Sequence, residues 1–205
     1  MPNHSAVGPQ VAMKIGELVV VTGPAAVGKS TVAKALQSEG VARGALWLAV
    51  ELDIFARALP RDWISVGTHA GRYAEHGFVY ARADDGSIQL TLGSDGRRVL
   101  SAFHRSVAAI VRSGVSVVCE TIVYDDDDWT DWSEALNGIV PCWVRLSAPL
   151  AILEGREKAD RSRIFQGLAQ GMAARRPVGR YDIEADTSAE TVSAIVGRII
   201  NALRD

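Results

Sequence analysis

The run Gly23-Pro24-Ala25-Ala26-Val27-Gly28-Lys29-Ser30, followed by Thr31, narrows what this chain can fold into more than any other segment. It has the spacing of a Walker A loop: two glycines flanking four residues, then lysine and a hydroxyl side chain. Glycine at both ends lets backbone N–H groups converge on phosphate oxygens without side-chain obstruction. A helix opening at Lys29 would aim its positive dipole end at the same oxygens. Lys29 adds a point charge for the β- and γ-phosphates, and the Ser30 hydroxyl suits Mg²⁺. Such a loop works only between a buried strand and a helix. Leu18, Val19, Val20 and Val21 precede it as an unbroken apolar run, which reads as a strand over Glu17 to Thr22 covered on both faces. The residues after it read as a helix from about Lys29 to Gln37, closed near Gly40. A nucleotide triphosphate, ATP with Mg²⁺, is therefore the expected ligand.

The rest of the chain repeats this alternation. Leu46 to Val50, Val115 to Cys119, Val140 to Leu146 and Tyr181 to Ala185 read as further buried strands. Ile54 to Leu59, Trp132 to Leu136, Leu150 to Gly171 and Val192 to Leu203 read as helices. Leu100, Phe103, Val107, Ile110 and Val111 share one face of another helix, closed by Gly114. Strands alternating with helices imply an α/β fold, its five strands in a parallel sheet flanked by helices. Residues 61–96 break the pattern. They are polar and glycine-rich, and Phe78 to Arg82 and Ser87 to Leu92 flank Asp85-Gly86, a hairpin turn pair. We read 1–12 as a flexible leader and 13–205 as one domain, with 61–96 an insertion serving the substrate and 150–176 a lid.

Composition excludes several classes. The formal net charge is -2, so no basic field invites nucleic acid. No apolar run approaches a membrane span, and Met1 to Gln10 lacks a signal peptide's pattern. Cys119 and Cys142 both lie in strand-like runs and read as buried and reduced, which points to a soluble cytoplasmic protein. His4, His69, His76 and His104 have no metal-ligand spacing and receive no role. Oligomeric state is left open, a homo-oligomer included.

Ligands gather at the carboxyl ends of strands in an open parallel sheet, so the residues just after each strand carry the candidate chemistry. Asp53 follows the second strand and reads either as a general base for a substrate hydroxyl or as a helix N-cap. Glu120 ends the third strand and reads as an acid near Mg²⁺ or its waters, as a hydrogen-bond partner of the acceptor, or as a solvated residue at the sheet edge. Tyr124 and the run Asp125 to Asp128 lie on the same rim. The acidic run reads either as a solvated loop or as a lip that draws in a cationic acceptor. Arg97, at the end of the insertion, is a further acceptor-side candidate. Arg156, Arg161 and Arg163 read as lid arginines that neutralise the transferring phosphoryl, against the alternative of a salt-bridged surface helix. Trp129 and Trp132 read as core.

Together these segments resemble the chloramphenicol phosphotransferase-like P-loop kinases. The likeness rests on Gly23 to Ser30, on Trp47-Leu48-Ala49-Val50-Glu51-Leu52-Asp53, and on Leu153-Glu154-Gly155-Arg156-Glu157 followed by Arg163. Gly171-Met172-Ala173-Ala174 and Tyr181-Asp182-Ile183-Glu184-Ala185-Asp186-Thr187 complete it. The resemblance implies a P-loop NTPase fold of the kinase type, with a five-stranded parallel sheet, and transfer of the γ-phosphate of ATP to a hydroxyl of an antibiotic or similar compound. It matches Asp53 to the general base, Arg156 and Arg163 to lid arginines, and Asp186 and Thr187 to a segment beside the nucleotide base. The chain departs from the pattern at Glu120-Thr121, where two aspartates are expected. It also departs in its longer insertion before Arg97 and its shorter link from Ala174 to Tyr181. These differences concentrate where the acceptor should bind. A metabolite or sugar-nucleotide kinase related to zeta toxins is a second enzyme reading, and a nucleotide-dependent switch ATPase is the reading from another class.

Overall fold

Leu18–Thr22 forms β1, and all five of its residues are buried. A strand apolar on both faces needs helices above and below its sheet. In the computed structural model, which describes residues 14–160 and 167–204, β1 is followed by α1 (Lys29–Ala42), β2 (Trp47–Glu51), α2 (Leu52–Arg57), β3 (Ile64–Val66) and β4 (His69–Ala70). Then come β5 (Phe78–Arg82), β6 (Ile88–Leu92), α3 (Ser94–Arg112), β7 (Ser116–Glu120) and α4 (Asp126–Ala135). The chain ends with β8 (Cys142–Ser147), α5 (Leu150–Ala159), α6 (Leu168–Ala173), β9 (Ile183–Asp186) and α7 (Val192–Ala202).

The main sheet has the order β2-β7-β1-β8-β9, and every pairing in it is parallel. Successive residues of β1 point to opposite faces. Val19 and Val21 join Val32, Leu36, Ile195 and Ile199 in the core beneath α1 and α7. Leu18 and Val20 join Leu100, Phe103, Val107 and Trp132 in the core beneath α3 and α4. α1 approaches β2 closely because position 40 is glycine: a Cβ there would lie 2.5 Å from the Trp47 ring.

Residues 64–92 build a second sheet of order β4-β3-β5-β6. Its β5–β6 hairpin turns where the sequence predicts, with Gly86 at φ 85° and Asp85 accepting the Ser87 N–H. The hairpin has no core of its own. Phe78 and Leu90 pack into the cluster that holds α3. From the other side α6 lies directly on it: the Ile88 N–H donates to Gly167 O at 2.8 Å, and Arg175 donates to Leu90 O.

Several expected boundaries shift. The last strand starts at Ile183 rather than Tyr181, and the helix expected over 132–136 begins at Asp126. α2 begins at Leu52 with Glu51 as its N-cap residue, so Asp53 lies in the first turn and is not the cap. The single helical stretch expected over 150–171 is α5 and α6, separated by residues of which 161–166 fall outside the described ones. The leader over 1–12, Arg161 and Arg163 are likewise outside them.

A Cβ at Gly171 would come within 2.0 Å of the Ile88 carbonyl oxygen, a backbone atom that cannot swing away. Gly171→Ala is expected to push α6 off the hairpin and cost about 1–3 kcal/mol, as overpacking does. Urea unfolding of the variant beside the parent checks this.

Candidate active site

The loop after β1 adopts backbone angles that few residues tolerate. Gly23 has φ 145°, Gly28 φ 99°, and Ala26, between them, φ 61°. Ala26 is the one non-glycine residue among those described with positive φ, at a cost of order 1 kcal/mol. Gly28 is also the N-cap residue of α1 and accepts the Thr31 and Val32 N–H groups. A Cβ at Gly28 would meet nothing within 4 Å, so its outer side is open. The Lys29 ammonium donates to Gly23 O at 2.8 Å and to Pro24 O at 2.9 Å, which folds the lysine back over the loop.

A groove of about 380 Å³ runs from this loop to the ends of β2 and β7. Lys29, Ser30, Asp53, Glu120 and Arg156 all line it. Parallel register puts Glu51 beside Glu120 at the ends of their strands. The Ser30 hydroxyl donates to Glu120 Oε2 at 2.7 Å. Burial raises the Glu120 carboxyl above its usual range; the bond from Ser30 opposes this and the neighbouring Glu51 reinforces it. Asp53 is exposed in the first turn of α2 and, among the described residues, has no hydrogen bond and no ion pair.

The loop's other flank borders a second recess, of about 320 Å³, walled by Val27, Thr31, Arg156, Thr187 and Ile195. Arg156 belongs to both spaces. Its guanidinium donates to Thr187 Oγ1 at 2.8 Å and Thr187 O at 2.9 Å, fixing α5 to the turn after β9. Asp186 is turned away into that same turn. It accepts the Ser188 N–H and hydroxyl, and these bonds hold its carboxyl below the usual range.

The acidic run has a structural role that the sequence reading left out. Asp125 is the N-cap residue of α4 and accepts the Asp128 N–H, while Asp126, Asp127 and Asp128 form the first turn. Acids there face the positive end of the helix dipole, which offsets their mutual repulsion. Arg97 forms a two-pronged pair with Asp125, at 2.7 and 3.3 Å, and Arg176 reaches Asp126. The run is thus a capped helix start with cations alongside, neither a loop nor an open acidic lip. Tyr124, just before it, is buried, with the Arg175 guanidinium 5.6 Å from its ring centre. Burial and the nearby Tyr80, Asp128 and Asp53 push its phenol well up. Tyr80 of β5 is raised to about 12 by burial and then by Asp53. Both phenols thus feel the charge of Asp53. Tyr80 was not singled out from the sequence; the cue was an aromatic on a hairpin strand, too common a pattern to read alone. His104, given no role, lies in the core against α4.

Among the described residues no group of three or more His, Cys, Asp or Glu could hold a metal on its own. The Ser30 hydroxyl backed by the Glu120 carboxylate is an all-oxygen donor set, suited to Mg²⁺ that takes its other ligands from phosphate and water. No helix among the described residues is long and apolar enough to cross a membrane.

A glycine loop between the central strand of a five-stranded parallel sheet and α1, with acids at the neighbouring strand ends, defines a P-loop kinase. The profile of the chloramphenicol phosphotransferase-like protein family matches residues 16–204, and the chain belongs to that family. It is an ATP-dependent phosphotransferase acting on small molecules. Comparison with curated proteins gives no match. Among solved structures the chain is similar to an APS kinase of Mycobacterium tuberculosis in complex with AMPPNP and APS, at 16% identity and TM-score 0.65, covering 93% of this chain and 99% of that one. It is also similar to a gluconokinase from Sinorhizobium meliloti 1021, at 20% identity and TM-score 0.59, covering 93% of each chain. A third is the tunicamycin resistance protein of Deinococcus radiodurans, at 14% identity and TM-score 0.55, covering 91% of this chain and 95% of that one. The switch-ATPase alternative is thereby set aside.

Lys29→Ala is expected to leave the fold intact, because the ammonium faces the loop's carbonyls rather than the core. It should abolish ATP-dependent turnover. Circular dichroism and a coupled ADP-release assay check both parts.

Proposed function

We propose that this enzyme transfers the γ-phosphate of ATP to a hydroxyl of an antibiotic or antibiotic-like small molecule, with Asp53 as general base. The observation that carries the reading is the placement of Asp53. Strand β2 delivers an exposed carboxylate, without a hydrogen-bond or ion-pair partner among the described residues, into the groove that holds Lys29 and Ser30. A carboxylate so placed can take the proton of an acceptor hydroxyl as its oxygen attacks phosphorus.

The other residues divide the work along the groove. Backbone N–H groups of 23–30 and the Lys29 ammonium hold the phosphates. Ser30, backed by Glu120, would hold Mg²⁺, whose positive charge would offset that of the phosphates. Arg156 and Thr187 bound the recess that takes the nucleoside, so Arg156 acts at the nucleotide's far end as well as beside the phosphates. Arg163, the other proposed lid arginine, lies outside the described residues. The acceptor occupies the opposite side, between Asp53, Tyr80, Tyr124 and Glu120. The family's description and the tunicamycin resistance protein among the similar structures favour an antibiotic as acceptor. A cationic acceptor loses its main support, because Asp125 and Asp126 are already paired with Arg97 and Arg176.

Incubation with γ-labelled ATP and a panel of hydroxylated antibiotics and sugars, read by mass spectrometry, tests the proposal. A gain of one phosphoryl group on an antibiotic is the expected result, and hydrolysis of ATP with no acceptor labelled would overturn it. With the acceptor so found, Asp53→Asn should lower kcat by roughly 10²–10⁴ while ATP binding, measured by calorimetry, is retained.

A further inference from the structure

Three buried side-chain atoms among the described residues lack a hydrogen-bond partner: His104 Nε2, Asp128 Oδ1 and Trp132 Nε1. The first two face each other at 3.4 Å. His104 lies on the apolar face of α3, stacked on the Trp132 ring at 4.0 Å, and Asp128 is buried in the first turn of α4.

The other ends of this pair are committed. His104 Nδ1 is 2.5 Å from Asp131 Oδ2. Partial burial works against ionisation of Asp131, but bonds from Ser101 and His104 outweigh it and hold its pKa below the usual range. An ionised Asp131 only accepts, so Nδ1 carries the hydrogen. A neutral imidazole has one N–H, which leaves Nε2 a bare acceptor. Asp128 Oδ2 meanwhile accepts the Tyr124 N–H at 2.9 Å. Were Asp128 a carboxylate, its Oδ1 would also be an acceptor, and two bare acceptors would confront each other in the core. One proton between them turns that conflict into a hydrogen bond.

We propose that His104 and Asp128 share a single buried proton, and that the bond it makes fixes the turn at Tyr124 on the acceptor side of the groove. His104 acts through Asp128 and is a positioning residue, not a catalytic one. Arg97 and Arg105 of α3 and Asp125 and Asp131 of α4 supply the surrounding charge, and burial is the largest influence on both groups. It raises Asp128 to about 7 and lowers His104 to about 4, so the proton sits on the carboxyl and Asp128 Oδ1–H donates to Nε2. The inference rests on the proposed function only in giving Tyr124 a place beside the acceptor; the pair itself is tested without one.

Asparagine reproduces the pattern without a titrating proton. Its carboxamide oxygen can accept from Tyr124 N–H while its NH₂ donates to His104 Nε2. Asp128→Asn should therefore keep the melting temperature within about 2 °C of the parent and leave Tyr124 amide exchange slow. Asp128→Ala removes both bonds. It should lower the melting temperature by about 5 °C and speed that exchange about tenfold or more. In the parent at a pH of about 5.5, between the pKa values of the two groups, the ¹³C shift of the Asp128 carboxyl should be that of the acid and the ¹⁵N shift of His104 Nε2 that of a neutral acceptor nitrogen. An asparagine variant as damaged as the alanine one, or an alanine variant as sound as the parent, overturns the proposal. So does a carboxylate at Asp128 facing a neutral ring. If Asp128→Ala does not fold, the asparagine variant and the two shifts decide.

Discussion

The geometry of this enzyme depends on β1 lying in the middle of its sheet. A strand bonded on both edges and covered on both faces cannot move, so the loop leaving it starts from a fixed point. That rigidity sustains the strained angles at Gly23, Ala26 and Gly28 and places the first turn of α1 over the strand's end. The Ser30–Glu120 bond then joins the loop to β7, the next strand across. Since Glu120 is in register with Glu51 at the end of β2, three strand ends and the phosphate loop behave as one rim. Backbone positions on a central parallel sheet are among the stiffest in a protein, and a catalytic group set on them keeps its distance from the phosphate.

The rim concentrates negative charge where a nucleotide brings more. Glu51, Asp53 and Glu120 lie within one groove, and burial holds the Glu120 carboxyl above its usual range. Lys29 and Arg156 line the same groove with positive charge. Of the three acids Asp53 is the exposed one, and it has no hydrogen bond or ion pair among the described residues.

The insertion and α6 meet by backbone contact. Gly167 and Gly171 let α6 touch the hairpin, and Arg175 links Leu90 to the face of Tyr124. The hairpin is thereby connected to the helix that follows α5. The polar core beneath α3 holds the turn before α4, through Asp128 and the Tyr124 N–H.

The sequence alone determined the phosphate loop, the parallel alternation of strands and helices, the hairpin at Asp85-Gly86 and the family. Each of these is a local pattern: apolar runs, glycine spacing and turn pairs act over a few residues and need no distant partner. It also placed Asp53 and Glu120 at strand ends, because the fold class says where such ends lead. It misread the Asp125 to Asp128 run, since four acids look alike whether they cap a helix or line a loop. Only the packed structure put Asp125 against Arg97 and Asp128 into the core. His104 was silent for the same reason: its meaning comes from two carboxylates more than twenty positions away in the chain, brought to it when α4 packs on α3. Contacts of that kind are created by tertiary packing, and no spacing within the sequence encodes them.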